Sequence, residues 1–168
     1  MTIIETERTY INQIKQIDLE ALYSICGNAE LMKYVGDGKP LSKEQTQKWI
    51  EVSILNYKLK GFGMYGVFSK DNDTLIGYCG LILSSDINDY ELIYALDKQY
   101  WGKGLATEIA YAVVKYGFEK LKLKTIFASI DPANKVSEKI LLKIGFLEKF
   151  RREDQFGLET IYFNLNQI

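Results

Sequence analysis

Apolar positions in this chain follow two rhythms. From residue 105 they recur at Leu105, Ile109, Ala112, Val113 and Tyr116, the i, i+4, i+7, i+8 and i+11 spacing of one helix face, opened by Gly104. A second amphipathic run over 135–144 predicts a helix closed by Gly145 at the left-handed position, with Phe146 packing back. Earlier, Asp18 stands where it can cap a short helix whose apolar face is Leu19, Leu22, Tyr23 and Cys26. Ser42-Lys43-Glu44-Gln45 has the form of a capping box, and Trp49, Ile50 and Tyr57 continue the helix behind it. Alternating or β-branched runs predict strands at 3–14, 62–69, 74–83, 90–97, 125–130, 147–153 and 159–165. Turn chemistry separates them at Lys70-Asp71-Asn72-Asp73 and Gln155-Phe156-Gly157, and Gly36-Asp37-Gly38-Lys39-Pro40 reads as a loop. The order β-α-α-β-β-β-α-β-α-β-β makes an α/β domain around one mixed sheet, without regular βαβ alternation. No repeat or Pro/Gly-rich linker interrupts it, so residues 1–168 are expected to form one domain.

Composition narrows the chemistry. At 168 residues, 47% hydrophobic and 26% charged, the chain can bury a substantial core. A net charge of −1 opposes general nucleic-acid binding, which needs a basic excess to displace counterions. No apolar run approaches the ~20 residues of a membrane span. The first residues lack a basic segment leading into an apolar one, so no secretory signal is expected. Cys26 and Cys79 are the only cysteines, too few for a disulfide framework, which favours a reduced, cytoplasmic protein. Histidine is absent, which removes Ser-His and Cys-His nucleophiles and makes a metal site improbable. The chemistry must therefore come from carboxylates, hydroxyls, amines, backbone groups or a cofactor. Without an activating histidine, both cysteines read as packing rather than as acyl carriers.

The sharpest local feature is Trp101-Gly102-Lys103-Gly104-Leu105-Ala106-Thr107, between a strand and the helix that follows. A helix N-terminus presents unsatisfied N–H groups and partial positive charge, and two glycines let a diphosphate approach the backbone. The segment is neither the dinucleotide fingerprint nor a Walker A loop. Alone it is also compatible with a tight strand-to-helix turn.

Two further segments extend the pattern: Asp131-Pro132-Ala133-Asn134 at a strand end, and Lys143-Ile144-Gly145-Phe146 at a helix end. With them the sequence resembles the GNAT acetyltransferase superfamily, whose cofactor loop has the form Gln/Arg-x-x-Gly-x-Gly/Ala. Trp101 departs from that form. Trp-Gly-Lys-Gly is common in the branch of ribosomal-protein N-terminal (RimJ/RimL-like) acetyltransferases. That branch is echoed in Glu5-Thr6-Glu7-Arg8, in Met32-Lys33-Tyr34-Val35-Gly36-Asp37-Gly38, in Pro40-Leu41-Ser42, in Trp49 and in Thr107-Glu108. The resemblance covers essentially the whole chain. It implies the GNAT fold, a single mixed and mostly antiparallel sheet flanked by helices.

It also implies acetyl-CoA as co-substrate, without a metal. The backbone of Tyr94 and Leu96 would pair with the pantetheine arm, and the loop, Trp101 to Thr107, would hold the diphosphate on its amides from Gly102 onward. Lys103 would add charge there, or is a solvated lysine. Asn134 would meet the cofactor arm, cap its helix, or both. Acetyl transfer to a primary amine needs a base. Glu91, in the strand beside the thioester, is the candidate, with a structural carboxylate as the alternative. Many family members protonate the leaving sulfur with a tyrosine; here Leu141 stands at that position. Ser137, one turn earlier, matches a serine proposed for the role in the ribosomal branch. Tyr94, Tyr90 and solvent are the other donors. Tyr34, Trp49 and Tyr65 are expected core residues that also suit an acceptor wall. The branch favours a protein or peptide N-terminal α-amine as acceptor. A small-molecule amine (amino acid, polyamine or aminoglycoside) and a non-catalytic acyl-CoA-binding module are the alternatives. No nucleic-acid or membrane partner is expected, and a homodimer is compatible with the resemblance.

Overall fold

The computed structural model describes residues 2–167. In chain order the elements are β1 (Ile4–Glu5), β2 (Thr9–Gln13), α1 (Leu19–Cys26), α2 (Ala29–Met32), α3 (Lys43–Lys60), β3 (Met64–Ser69), β4 (Leu75–Ser84), β5 (Asp89–Leu96), α4 (Leu105–Glu119), β6 (Thr125–Ile130), α5 (Lys135–Lys143), β7 (Leu147–Glu153) and β8 (Glu159–Asn166). The strands form one eight-stranded sheet in the order β1-β2-β3-β4-β5-β6-β8-β7. Among the described residues only the β5–β6 pair is parallel, so the sheet is mixed and mostly antiparallel as expected.

Local chemistry explains the helix ends. Ser42 and Gln45 exchange the two bonds of a capping box: the Gln45 N–H donates to Ser42 Oγ at 3.1 Å and the Ser42 N–H to Gln45 Oε1 at 2.8 Å. At the end of α5, the Phe146 N–H reaches the Leu141 carbonyl at 3.0 Å and the Gly145 N–H that of Leu142 at 3.1 Å, the paired bonds of a Schellman turn.

Three local expectations are corrected. The strand expected over 3–14 is two strands, because the chain reverses at Thr6–Thr9. There the Thr6 N–H donates to the Thr9 carbonyl at 2.9 Å and the Thr9 N–H to the Thr6 hydroxyl at 3.0 Å. Asp18 precedes α1 but does not cap it. Its carboxylate accepts the Lys15 N–H at 2.7 Å and so closes the preceding turn instead. The third is an added element: Asn28 caps the short helix α2 by accepting the N–H groups of Glu30 and Leu31 at 2.9 and 3.2 Å.

Side chains alternate across the sheet, and the helices take separate faces. α4 lies on the face of Leu81 and Ile126. A Cβ at Gly117 of this helix would stand only 2.6 Å from Leu81 and 2.8 Å from Ile126, so the missing side chain sets the close approach. Leu92, Tyr94 and Leu96 share this face by register, and Leu141 and Phe146 from α5 and its turn are fully buried in the core. The opposite face carries Tyr78, Ile82, Ser84, Glu91 and Ser129 by the same register. Trp49 of α3 packs edge-on against Tyr78 there, with ring centres 4.9 Å apart. Among the described residues no helix is long and apolar enough to cross a membrane.

Candidate active site

β5 and β6 share one bridge, Glu91 with Phe127, and diverge beyond it. What this leaves open follows from the ladder on the other side. The Asp97 N–H donates to the Ile76 carbonyl at 2.8 Å. In an antiparallel ladder the direction alternates, so odd-numbered residues of β5 bond to β4 and even-numbered ones point toward β6. The bridge engages the Leu92 N–H. The Leu92 carbonyl, the Tyr94 N–H and carbonyl and the Leu96 N–H then face the gap between the strands. The last outward acceptor, the Leu96 carbonyl, takes a 2.9 Å hydrogen bond from the indole N–H of Trp101.

From Leu96 the chain passes through a short helical turn, Lys98–Tyr100, into the glycine segment. Lys98 holds that turn against α2 by pairing with both carboxylate oxygens of Glu30, at 2.8 and 2.9 Å. Gly102 and Gly104 have φ of +70° and +76°, a conformation L side chains rarely adopt. A Cβ at Gly102 would meet nothing within 4 Å, and one at Gly104 only Arg8, at 3.7 Å. No side chain caps α4 at Gly104, which leaves the N–H groups of Leu105, Ala106 and Thr107 directed into this space. Leu105 itself is buried, while Lys103 is exposed, its Nζ 5.5 Å from the Tyr100 ring centre.

Arg8, which carried no role in the sequence reading, fastens this loop from the β1–β2 turn. Its Nε donates to Glu108 at 2.8 Å, its Nη2 lies 2.7 Å from the same oxygen, and its Nη1 donates to the Lys103 carbonyl at 2.8 Å. Burial alone would raise the Glu108 carboxyl, but hydrogen bonds from Thr6 and Arg8 and the Arg8 charge outweigh it and hold it below its ordinary value.

Glu91 sits at the apex of the gap, on the face opposite α4. The Ser129 hydroxyl donates to its carboxylate across the diverging strands. Burial raises its pKa above the ordinary 4.5, opposed by hydrogen bonds from Ser129 and Ser84. Nearby, Asp86 in the β4–β5 turn accepts the Tyr162 hydroxyl at 2.5 Å and pairs with Arg152 at 3.2 Å, and its charge adds to the rise at Glu91.

Across the sheet, the covered Tyr94 hydroxyl has no hydrogen-bond partner at ordinary geometry among the described residues. Burial raises its pKa, and the neighbouring Ser137 hydroxyl of α5 opposes that rise. Asn134 caps α5, accepting the Ser137 N–H at 3.2 Å on its side-chain carbonyl, and its amide NH₂ has no acceptor among the described residues. The aromatic trio divides. Tyr65 is only 3% exposed and stacks on Tyr57 at 5.2 Å, within the core. Trp49 is half-buried and Tyr34 exposed. Cys26 and Cys79 are fully buried, and burial pushes the Cys26 thiol up to about 12, far from the nucleophilic thiolate. Among the described residues no group of three or more acidic or cysteine side chains is placed to hold a metal ion.

The chain is similar in sequence and in fold to known acetyltransferases. A profile of the acetyltransferase (GNAT) domain matches residues 8–147. The uncharacterized N-acetyltransferase YoaA of Bacillus subtilis is 33% identical over 145 residues, 86% of this chain and 82% of that protein. The spermidine N(1)-acetyltransferase of Escherichia coli is 24% identical over 165 residues, 92% of this chain and 81% of that protein. The solved structure of RimL, a ribosomal L7/L12 alpha-N-protein acetyltransferase in complex with coenzyme A, matches with a TM-score of 0.83 at 15% identity, covering 99% of this chain and 98% of that one. This chain belongs to the GNAT acetyltransferase family and is an acetyl-CoA-dependent N-acetyltransferase.

Proposed function

We propose that the enzyme acetylates a protein or peptide N-terminal α-amine by direct attack, with Glu91 as general base and the cofactor lying along the open edge of β5. The observation that carries this reading is the lone Glu91–Phe127 bridge. It frees the backbone of Tyr94 and Leu96 and puts a carboxylate of raised pKa where the gap begins. The residues present fit the cofactor: a free strand edge suits an amide-bearing arm, and the glycine turn leaves room where a Cβ would intrude. When bound, acetyl-CoA supplies the acetyl group as a thioester.

Each residue then has a task. The amides from Gly102 to Thr107, with Lys103 beside them, hold the diphosphate, and the side-chain amide of Asn134 meets the pantetheine arm. The Tyr94 N–H, the first free donor past the apex, takes up negative charge developing on a carbonyl oxygen in the gap. Glu91 accepts the proton of the attacking amine, directly or through water. Its raised pKa brings it closer to the working range of a general base. The Tyr94 and Ser137 hydroxyls stand on the cofactor side and supply a proton to the departing sulfur. Burial keeps the Tyr94 phenol protonated, as a donor must be.

The likeness in fold to RimL and the segments shared with the ribosomal branch support the α-amine acceptor. A polyamine is the second reading, supported by the spermidine acetyltransferase relative. Release of free CoA, measured with peptides bearing a free N-terminus, N-blocked lysine peptides, spermidine and free amino acids, separates them. Highest kcat/KM on the free α-amine is expected. Preference for spermidine would transfer the assignment to the polyamine reading. No turnover with any amine would overturn direct transfer altogether.

A further inference from the structure

Arg8 lies 95 residues from Lys103 and 100 from Glu108 in sequence, yet its side chain touches both. Two of the five guanidinium N–H groups donate hydrogen bonds, Nε to Glu108 and one on Nη1 to the Lys103 carbonyl, and Nη2 stands in ion-pair contact with Glu108. The other N–H groups, on the two terminal nitrogens, have no protein hydrogen-bond acceptor among the described residues. The side chain is 45% exposed, so this edge reaches solvent. Nη2 also lies 3.7 Å from the position a Cβ on Gly104 would occupy, which places the free edge beside the uncapped start of α4.

We infer that Arg8 is a cofactor-phosphate residue, fixing the Lys103–Gly104 turn with one edge of its guanidinium and presenting the other to the diphosphate of acetyl-CoA. Glu108 is what makes this possible. Its carboxylate, in the first turn of α4, would otherwise compete with an incoming anion for the same positive end. Arg8 engages both oxygens, one through Nε and Nη2 of its side chain and the other through its backbone N–H at 3.0 Å, which matches that charge and orients the guanidinium in advance. A lysine keeps the charge but offers one point donor in place of the planar fork that spans Glu108 and the Lys103 carbonyl.

This rests on the assignment of the Gly102–Thr107 turn to the diphosphate, and truncated cofactors keep the two claims apart. Acetyl-CoA, acetyl-dephospho-CoA and S-acetylpantetheine, which lacks the diphosphate, are compared as donors for wild-type enzyme and for Arg8→Gln and Arg8→Lys, with thermal unfolding as a folding control. For wild type, kcat/KM should fall sharply only with S-acetylpantetheine. Equal use of all three donors would refute the loop assignment itself. Arg8→Gln should raise KM for acetyl-CoA and acetyl-dephospho-CoA about ten- to a hundredfold, the span of a charge-assisted hydrogen bond, at near-constant kcat. It should leave S-acetylpantetheine turnover unchanged, and Arg8→Lys should fall between. Equal losses with every donor, in either variant, would mean a purely structural tie and overturn the inference. So would a loss confined to acetyl-CoA, which would point to the 3′-phosphate. If Arg8→Gln does not fold, Arg8→Lys carries the comparison by the same criteria.

Discussion

The indole N–H of Trp101 donates to the carbonyl of Leu96 at 2.9 Å, joining the glycine turn to the end of the strand it follows. This accounts for the tryptophan where the family form has Gln or Arg. All three side chains carry an N–H donor, and here the donor reaches back to the last outward carbonyl of β5. Trp101→Gln is therefore expected to keep KM for acetyl-CoA within about twofold. Trp101→Phe, which cannot donate, should raise it about fivefold, the effect of one ordinary hydrogen bond. Steady-state kinetics against acetyl-CoA checks both, and equal behaviour of the two variants would detach the indole N–H from this role.

Gly104 is held at φ +76°, so any substitution there strains the backbone as well as filling the space in front of α4. Alanine separates the two effects. Gly104→Ala should cost roughly 1–2 kcal/mol of stability and at least tenfold in acetyl-CoA affinity. Gly61→Ala is the control: φ is +79° with nothing within 4 Å of its Cβ, far along the chain at the end of α3. It should show a similar fall in Tm and unchanged affinity by calorimetry. Valine at 104 is a poorer probe, because a β-branched side chain at positive φ adds strain of its own.

Tyr94 carries a covered hydroxyl without a partner among the described residues, and Leu141 is fully buried. Tyr94→Phe should then lower kcat about tenfold or more while leaving Tm the same or higher, since an unsatisfied polar group is removed. Ser137→Ala should cost about tenfold in kcat. Leu141→Tyr, which would give α5 the family's tyrosine, should instead overpack the core by about 1–3 kcal/mol and restore nothing in the Ser137→Ala background. Recovery of rate in that double variant would contradict the placement of the donor.

These cases show what a sequence can and cannot carry. The glycine turn, the α3 capping box and the end of α5 were legible because their chemistry is local: glycines, Ser42 with Gln45, and Gly145 with Phe146. The β1–β2 turn was not. Thr6-Glu7-Arg8-Thr9 contains none of the usual turn formers and is closed by threonine hydroxyls. Asp18 misled for a related reason, since a backbone N–H on its other side competes for the same carboxylate. The Arg8–Glu108 clasp and the Ser129 bond to Glu91 link distant segments, and no local pattern announces either. Tyr65, expected in the core, is buried there against Tyr57 of α3.

Glu91 also leaves a signature on stability. Its pKa is raised in the folded state, so the native protein binds this proton more tightly than the unfolded chain. Stability should therefore fall as pH rises from the ordinary 4.5 through the raised folded value, and the cost of the buried charge should persist above it. Glu91→Gln removes that cost. Its Tm relative to wild type should be higher at pH 8 than at pH 4, by about 2–4 °C for each kcal/mol recovered. Parallel Tm curves across this range would mean that the Glu91 charge is not penalised by burial.

The pH dependence of kcat for Glu91→Gln tests the central assignment most directly. If Glu91 takes the proton of the attacking amine, the variant should lose roughly 10²–10⁴ in kcat near neutral pH, with KM for acetyl-CoA nearly unchanged. The deficit should narrow toward high pH, where the amine is already neutral. A Glu91→Gln enzyme with wild-type kcat from about pH 6 to 9 would contradict the account and reduce Glu91 to a structural carboxylate.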